Sequence, residues 1–306
     1  MNGFESVISF LLEYFPDEQH CINYFKESRW NGNVISPYDS SSKVYELSDG
    51  WYKCKNTGKR FSVRNGTVFE DSNIPLQKWF IAFYLLSSNK KGVSTRQLVK
   101  YIKVTQKTAW FMSQRLREAF EHPSFKSMLD GFVEIDETFA GGKNKNRHWD
   151  KKVPKAQGRS WKDKIPVWGA AKRGGNVIAQ VVPNTKQKTL ESMIKKHVEK
   201  GSNLCSDEWY RHNRNLPKMF NHKIVNHKKK QYVNGKASTN LIENFWSHLK
   251  RGIYGIYHWV SRKHTQRYVN EFTFRFNTRK YSDKDRFDLV LLSTIGKRLT
   301  YQQLIN

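Results

Sequence analysis

The sequence lacks any apolar run of about 18 residues, the length a helix needs to cross a membrane. Its first 18 residues carry acidic side chains where a secretory signal would carry Lys or Arg. The three cysteines, Cys21, Cys54 and Cys205, are odd in number and far apart, which excludes a disulfide framework as the basis of the fold. We therefore expect a cytoplasmic protein with reduced thiols and no membrane partner.

Acidic residues are scarce. The 306 residues include 27 Asp and Glu against 54 Lys and Arg, a formal net charge of +27 that is too large for an ordinary metabolic enzyme and indicates a polyanionic partner. Aromatic residues make up 14% of the chain, which argues against a disordered basic tail, because such tails lack the large apolar side chains of a core. The length suits about two folded domains.

The positive charge is unevenly distributed. Residues 1–50 hold 3 basic and 8 acidic side chains, so this segment is not the main phosphate-binding surface. Residues 143–164 lack apolar periodicity and lead into the most basic part of the chain, which predicts a long basic loop. This loop either binds nucleic acid or is a solvated linker. The candidate DNA contacts in it are Lys143, Arg147, Lys151 and Lys152.

The amino-terminal part predicts helices and then a small β-ribbon. Helical spacing runs through residues 4–30, and residues 31–70 form short alternating segments separated by turn signals. The two turns where a zinc ribbon would carry paired cysteines read SPYD at 36–39 and CKNT at 54–57, so Cys54 alone remains. We expect no structural zinc and a ribbon held by aromatic side chains and by packing on neighbouring helices.

Three helices are predicted next. An apolar helix covers residues 76–88, Ser94 caps a second helix, and Thr105 caps a third that reaches Phe120. This layout favours a helix-turn-helix whose last helix enters the major groove of DNA; a plain three-helix bundle with solvated polar residues is the alternative. The exposed candidates for DNA contact are Gln106, Lys107, Gln114 and Arg115.

Residues 132–207 predict strands and helices in the order β-β-β-α-β. An alternating segment from Phe132 delivers Asp136 near the end of a strand, a hairpin turns at Gly174-Gly175, and a short strand at 203–206 ends in Asp207. Two strands that each present an aspartate at one end of a mixed sheet suit a metal-dependent nuclease, because hard divalent cations prefer oxygen ligands on rigid elements. The alternative is that each aspartate merely ends a strand or caps a turn.

A third acid is predicted on a helix over residues 240–251. Its apolar residues share one face and leave Glu243 beside it, and Lys250 lies two turns further on nearly the same face as Glu243, where it could hold a phosphate. Residues 151–250 contain only six acids among 22 basic residues, so these acids stand out. Two divalent ions held by them would activate the attacking oxygen and stabilise the leaving oxygen at phosphorus.

Several motifs together resemble one family, the bacterial insertion-sequence transposases with an ISXO-type DDE domain, which are relatives of the eukaryotic Merlin elements. The resemblance covers roughly residues 20–280. Its motifs are KCK at 53–55, GTVFE at 66–70, KKGVS at 90–94, TQKTAWF at 105–111, EIDET at 134–138, the segment 242–252, YH at 257–258, VS at 260–261, KH at 263–264, RY at 267–268 and FRFN at 274–277.

The resemblance implies a ribonuclease-H-like catalytic domain, two Mg²⁺ or Mn²⁺ ions, and DNA cleavage and strand transfer at terminal inverted repeats. Asp136 and Asp207 match the first two acids of the family. The third ligand is either Asn240 or Glu243, and we favour Glu243 because a carboxylate is the better ligand for a hard cation. Arg251, beside Lys250, is a further candidate DNA contact.

The predicted fold class is therefore an α+β multidomain protein. It comprises N-terminal helices with a degenerate zinc-ribbon-like module (1–72), a helix-turn-helix (73–128), a ribonuclease-H-like DDE domain (129–282) and a C-terminal helical tail (283–306). We expect a nucleoid-associated homodimer or higher oligomer whose partner is DNA. A non-catalytic DNA-binding regulator and a general ribonuclease-H-like nuclease are the alternatives.

Some aromatic and histidine residues have two interpretations. Core packing is preferred over base stacking for the aromatic set Trp246, Phe272, Phe274 and Phe276. Phosphate contact and simple solvation are both open for His148, His258 and His264.

Overall fold

The computed structural model describes residues 3–142, 144–154, 160, 162–208, 210, 213, 215–226, 233–235 and 237–305. The chain forms two compact units. The first unit comprises Met1–Phe120 and Tyr281–Asn306, and the second unit comprises Glu121–Lys280. Within the described ranges no helix is both long enough and apolar enough to cross a bilayer.

The first unit begins with two helices and a small antiparallel sheet. These elements are α1 (Gly3–Tyr14), α2 (Glu18–Trp30), β1 (Val44–Glu46), β2 (Tyr52–Cys54) and β3 (Arg60–Phe61), with strand order β1-β2-β3. The rings of Tyr52 and Phe61 stack with centroids 5.6 Å apart, and Trp30 of α2 packs edge-on against both at 5.3 and 6.3 Å. The prediction that aromatic side chains hold the ribbon is confirmed.

Hydroxyl groups surround Cys54 at the two turns that would carry paired cysteines. Burial opposes ionisation of this thiol, but hydrogen bonds from Ser36, Ser42 and Thr57 outweigh that effect and lower its pKa to about 6. The carboxylate of Asp39 accepts hydrogen bonds from the side chains of Ser41 and Asn56.

Three helices follow: α3 (Leu76–Ser88), α4 (Thr95–Ile102) and α5 (Gln106–Ala119). Their starts agree with the predicted caps. Ser94 and Gln97 form a reciprocal capping box on α4, and the Thr105 hydroxyl accepts the Thr108 amide of α5 at 3.2 Å.

One prediction for α5 is wrong: Gln114 and Arg115 are buried rather than exposed. The Arg115 guanidinium donates to the carbonyl oxygens of Leu299 at 2.9 Å and Glu70 at 2.6 Å. Residues 112–117 are all buried, so this stretch of α5 has no solvent face. A pattern based only on apolar side chains misses a buried face that is polar.

The second unit contains a five-stranded mixed sheet. Its elements are β4 (Phe132–Ala140), β5 (Ile165–Lys172), β6 (Val177–Val181), α6 (Gln187–His197), β7 (Asn203–Ser206), α7 (Leu216–Met219) and β8 (Asn221–Ile224). The strand order is β6-β5-β4-β7-β8; β4, β5 and β6 pair antiparallel, while β7 and β8 run parallel to β4. The predicted order β-β-β-α-β is confirmed, and the mixed sheet is compatible with a ribonuclease-H-like transposase domain.

Both faces of this sheet are covered. After β9 (Val233–Asn234) and β10 (Ala237–Ser238) come α8 (Asn240–Gly252) and α9 (Thr265–Asn277). Side chains alternate along β4, so Val133 and Ile135 join the core under α6, whereas Glu134 and Asp136 point to the face on which α8 packs. At the end of α8, a Cβ on Gly252 would lie 1.8 Å from the Phe272 ring, so glycine permits the close approach of α8 and α9.

The last two helices, α10 (Asp283–Leu292) and α11 (Tyr301–Ile305), belong to the first unit. The ring of Phe287 on α10 packs against Phe15 at 5.1 Å and Phe80 at 5.4 Å. The Tyr24 hydroxyl donates to the Asp288 carboxylate at 2.5 Å. The segment predicted as a helical tail therefore contributes to the core of the first unit.

Candidate active site

Asp136 lies in the middle of β4, directly opposite Gly169 on β5. We expected Asp136 near the end of its strand, but β4 continues to Ala140 because pairing with β5 continues to Ile165. Pairing with β7 on the other side ends at Glu134 and Cys205. Asp136 is therefore paired with β5 on one edge of β4. On the other edge it lies two residues beyond the last residue that pairs with β7.

Asp207 follows β7 and is buried. The last pair between the parallel strands β4 and β7 is Glu134 with Cys205, so Asp136 and Asp207 each come two residues after that pair. Cys205, the β7 partner of Glu134, packs with Ala237.

Glu243 is exposed in the first turn of α8, where its carboxylate accepts the Thr239 hydroxyl at 2.7 Å. Glu243 and Asp136 line the same cavity of about 670 Å³, together with Lys250 two turns along α8. The other lining residues are Glu137, Thr138, Phe139, Lys164, Trp246, Ser247 and Tyr254.

The structure thus brings together Asp136, Glu243 and Lys250. Asp207 and Asn240 are not among the residues that line this cavity. Within the part of the chain that the structure describes, no group of three or more His, Cys, Asp or Glu side chains is already arranged to hold a metal ion.

Trp246 of α8 contacts the first aspartate directly, since its indole N–H donates to Asp136 Oδ2 at 3.1 Å. A Cβ on Gly169 would lie 2.6 Å from two atoms of this ring, so only glycine leaves room for it on β5. Trp246 is 3% exposed, which confirms its predicted place in the core. Its polar contact with Asp136 was not predicted, because periodicity reports burial and not the direction of an N–H group.

Glu134 is a second residue that the sequence analysis missed. This carboxylate is 1% exposed, forms an ion pair with Arg173 at 2.9 Å and accepts amides from the start of α8. The available signal was a glutamate at an alternating position of a strand otherwise rich in apolar residues.

Glu137 and Tyr210 connect the segment after β7 to β4. The Tyr210 hydroxyl donates to the Glu137 carboxylate, and the Tyr210 amide donates to the Asp207 carbonyl at 3.4 Å. These contacts hold the turn that follows Asp207 beside the strand that carries Asp136.

The predicted basic loop is partly described, and Lys143 lies outside the described residues. Short 3₁₀ turns span Asn144–Asn146 and Trp149–Lys151, and the Asn144 side chain bonds both backbone groups of Val153. The Arg147 guanidinium donates to the Asp163 carbonyl at 2.8 Å. The exposed cations of the second unit include Lys151, Lys152 and Arg251.

The three histidines lie at the surface or near it. His148 and His258 are exposed, and His264 lies 3.1 Å from the Arg267 guanidinium.

The sheet with its carboxylate-lined cavity defines the second unit as a mixed α/β domain with a polar site on one face. Residues 128–277 match the family described as the ISXO2-like transposase domain. The chain is also 26% identical over 293 residues to an uncharacterized protein in transposable element ISH50 of Halobacterium salinarum, a match that covers 92% of this chain and 98% of that relative. The segment from 128 to 277 belongs to the ISXO2-like transposase domain family, and the resemblance to insertion-sequence transposases is confirmed.

Proposed function

We propose that this protein is a DDE transposase that binds the terminal inverted repeats of an insertion sequence and catalyses metal-dependent DNA strand cleavage and strand transfer. The observation that carries the proposal is the cavity shared by Asp136, Glu243 and Lys250. The family match and the strand order of the second unit support a ribonuclease-H-like catalytic domain.

The chemistry of the donor set suits divalent metal ions, and Asp136 and Glu243 are the two members of the set that line one cavity. Asp136, Asp207 and Glu243 offer only carboxylate oxygens on or next to two strands and a helix, and Mg²⁺ and Mn²⁺ prefer such ligands. Two such ions, when bound by these residues, would activate the attacking oxygen and stabilise the leaving oxygen at phosphorus. Glu243 is preferred over Asn240 as the third ligand, because Glu243 lines the cavity with Asp136.

The protein's own groups orient the ligands and the substrate. Trp246 holds one oxygen of Asp136, and Thr239 holds one oxygen of Glu243. The ammonium group of Lys250 offers a counter-charge to a phosphate at the rim of the cavity. One phosphodiester is exchanged for another during strand transfer, so the reaction needs no nucleotide cofactor.

DNA recognition is assigned to both units. Helices α4 and α5 would form a helix-turn-helix, with the exposed Gln106 and Lys107 at the start of its recognition helix. In the second unit the proposed phosphate contacts are Arg147, Lys151, Lys152 and Arg251. Cleavage of two element ends calls for at least a homodimer.

The test is a nicking assay with Mg²⁺ or Mn²⁺ on DNA that carries the element ends. Asp136→Asn, Asp207→Asn and Glu243→Gln should each lower the cleavage rate by at least about 10³-fold, as loss of a central catalytic group does. DNA binding in a mobility-shift assay should persist in all three. Glu199→Gln, which neutralises an exposed acid of the second unit, is the matched control and should cleave like wild type.

Two results would contradict the proposal. Equal cleavage by wild type and Asp136→Asn would remove the catalytic role and favour a non-catalytic DNA-binding regulator. Equal cleavage of DNA with and without element ends would favour a general ribonuclease-H-like nuclease.

A further inference from the structure

The carboxylate of Glu134 joins two elements of the proposed active site. Its Oε2 accepts the backbone amides of Leu241 at 2.7 Å and Ile242 at 3.3 Å, both in the first turn of α8. Its Oε1 accepts the Arg173 guanidinium and the Ser238 hydroxyl, each at 2.9 Å. Both oxygens of a side chain that is 1% exposed are therefore engaged.

The first turn of α8 relies on this carboxylate, because its own N-cap residue does not cap it. Thr239 makes no side-chain capping bond, and its hydroxyl donates instead to Glu243. The first amides of a helix need an acceptor from elsewhere, and a negative charge is favourable there. Glu134 meets both requirements from a neighbouring strand.

We propose that Glu134 is a positioning residue that fixes the start of α8 against β4 and thereby sets the spacing between Asp136 and Glu243. Asp136 follows Glu134 by two residues on the same face of β4. Glu243 directly follows Ile242, whose amide Glu134 accepts. This inference rests on the proposed function in one respect, namely that Asp136 and Glu243 are metal ligands.

The rest of α8 has a separate anchor. Ile242, Phe245 and Leu249 are buried in the core beneath the sheet, with exposures of 0%, 0% and 1%. Glu134→Gln keeps the shape of the side chain and one acceptor oxygen but removes the charge. The variant should therefore fold, with its effect concentrated at the first turn of α8.

The first test needs no DNA and no turnover: the melting temperature of the full-length protein is measured against Mn²⁺ concentration. A ligand that binds only the folded state raises the melting temperature by mass action. Glu134→Gln should need about tenfold more Mn²⁺ for half of the full stabilisation, as is usual when a group that supports metal ligands is removed. Glu191→Gln, which neutralises another buried carboxylate of the second unit on α6, should need the wild-type concentration.

The second test is cleavage at saturating Mn²⁺, which should return Glu134→Gln to within about threefold of wild type if only metal affinity is reduced. A merely structural role would lower the rate at every Mn²⁺ concentration alike. Should Glu134→Gln not fold, Ser238→Ala removes one donor to Glu134 and should raise the Mn²⁺ requirement about threefold.

A wild-type Mn²⁺ requirement in the folded Glu134 or Ser238 variant would overturn the inference. Failure of the proposed function would look different, because Asp136→Asn would then show the same Mn²⁺-dependent stabilisation as wild type.

Discussion

The indole N–H of Trp246 donates a hydrogen bond to Asp136 across the space left by a glycine on the neighbouring strand. Asp136 pairs with Gly169, and the Trp246 ring lies only 2.6 Å from the position that a Cβ on Gly169 would take. The missing side chain on β5 thus lets a helix residue reach a candidate metal ligand on β4.

Gly169→Ala should disturb this contact. The added Cβ would lie 2.6 Å from the Trp246 ring, which is rigid and 3% exposed, so the ring or the strand must shift. We expect a loss of about 1–3 kcal/mol in the free energy of unfolding, as for other overpacked cores, together with slower cleavage. Chemical denaturation and the nicking assay measure the two effects.

Gly175→Ala is the matched control for that variant. The three atoms nearest to a Cβ there belong to the Lys172 side chain, at 2.9, 3.0 and 3.2 Å, and the two nearest can move by rotation of that side chain. We expect a small change in stability and unchanged cleavage. Equal losses in the two variants would show that the close approach at Gly169 has no special importance.

Trp246→Phe should separate the hydrogen bond from the packing. Phenylalanine keeps an aromatic ring in the core but has no N–H to donate to Asp136. A hydrogen bond to a charged group contributes about 1.5–3 kcal/mol, so cleavage should fall by roughly 10- to 100-fold if the bond persists in the transition state. Cleavage at the wild-type rate by a folded Trp246→Phe variant would mean that the N–H does not support Asp136.

Local patterns predicted most of the fold. The helix at 76–88 and the strand at 203–206 have the predicted bounds, and Ser94 and Thr105 cap helices as expected, because caps and periodicity are properties of neighbouring residues. The extension of β4 to Ala140 was missed, since it depends on pairing with β5. Pairing partners are distant in sequence and leave no local signal.

The candidate site was predicted in part for a similar reason. Asp136 was predicted from an expected strand end that the structure moves to Ala140, and Glu243 and Lys250 were predicted from a helix face. The structure brings all three residues to one cavity. The roles of Glu134 and Trp246 could not be predicted from local patterns. Glu134 contacts the start of α8 and Trp246 contacts Asp136, and each contact joins residues more than 100 positions apart. The burial of Arg115 also depends on distant backbone carbonyls, at Glu70 and Leu299.

Lys250→Met should slow cleavage, while Arg251→Met should not slow it to the same degree. Lys250 lines the cavity with Asp136 and Glu243, whereas Arg251 is exposed and is not among the lining residues. Both variants remove one positive charge, so both should weaken DNA binding alike and reduce its salt dependence. A cleavage rate at saturating DNA that falls at least about tenfold in Lys250→Met alone would agree with a phosphate contact in the transition state.

A rate at saturating DNA that falls equally in both variants would contradict a specific role for Lys250. Lys250 and Arg251 would then contribute only to the general electrostatic attraction of DNA.

The last prediction concerns His197, which lies at the end of α6 and stacks on Trp168 with centroids 5.7 Å apart. Burial, with a smaller effect of Lys196, lowers the pKa of His197 to about 4. An unfolded histidine has a pKa of about 6.5, so between these values the unfolded state binds more protons than the folded state. Stability must therefore fall as the pH falls through this window.

His197→Phe should remove this part of the pH dependence while keeping a ring against Trp168. Between pH 7.5 and 4.5 the wild type should lose about 2 kcal/mol more of its free energy of unfolding than the variant does. Urea unfolding at four pH values across this range measures the difference, and carboxylates that titrate in both proteins cancel in the comparison. Parallel stability curves for the two proteins would mean that His197 is protonated as readily in the folded state as in the unfolded one, which would contradict its burial against Trp168.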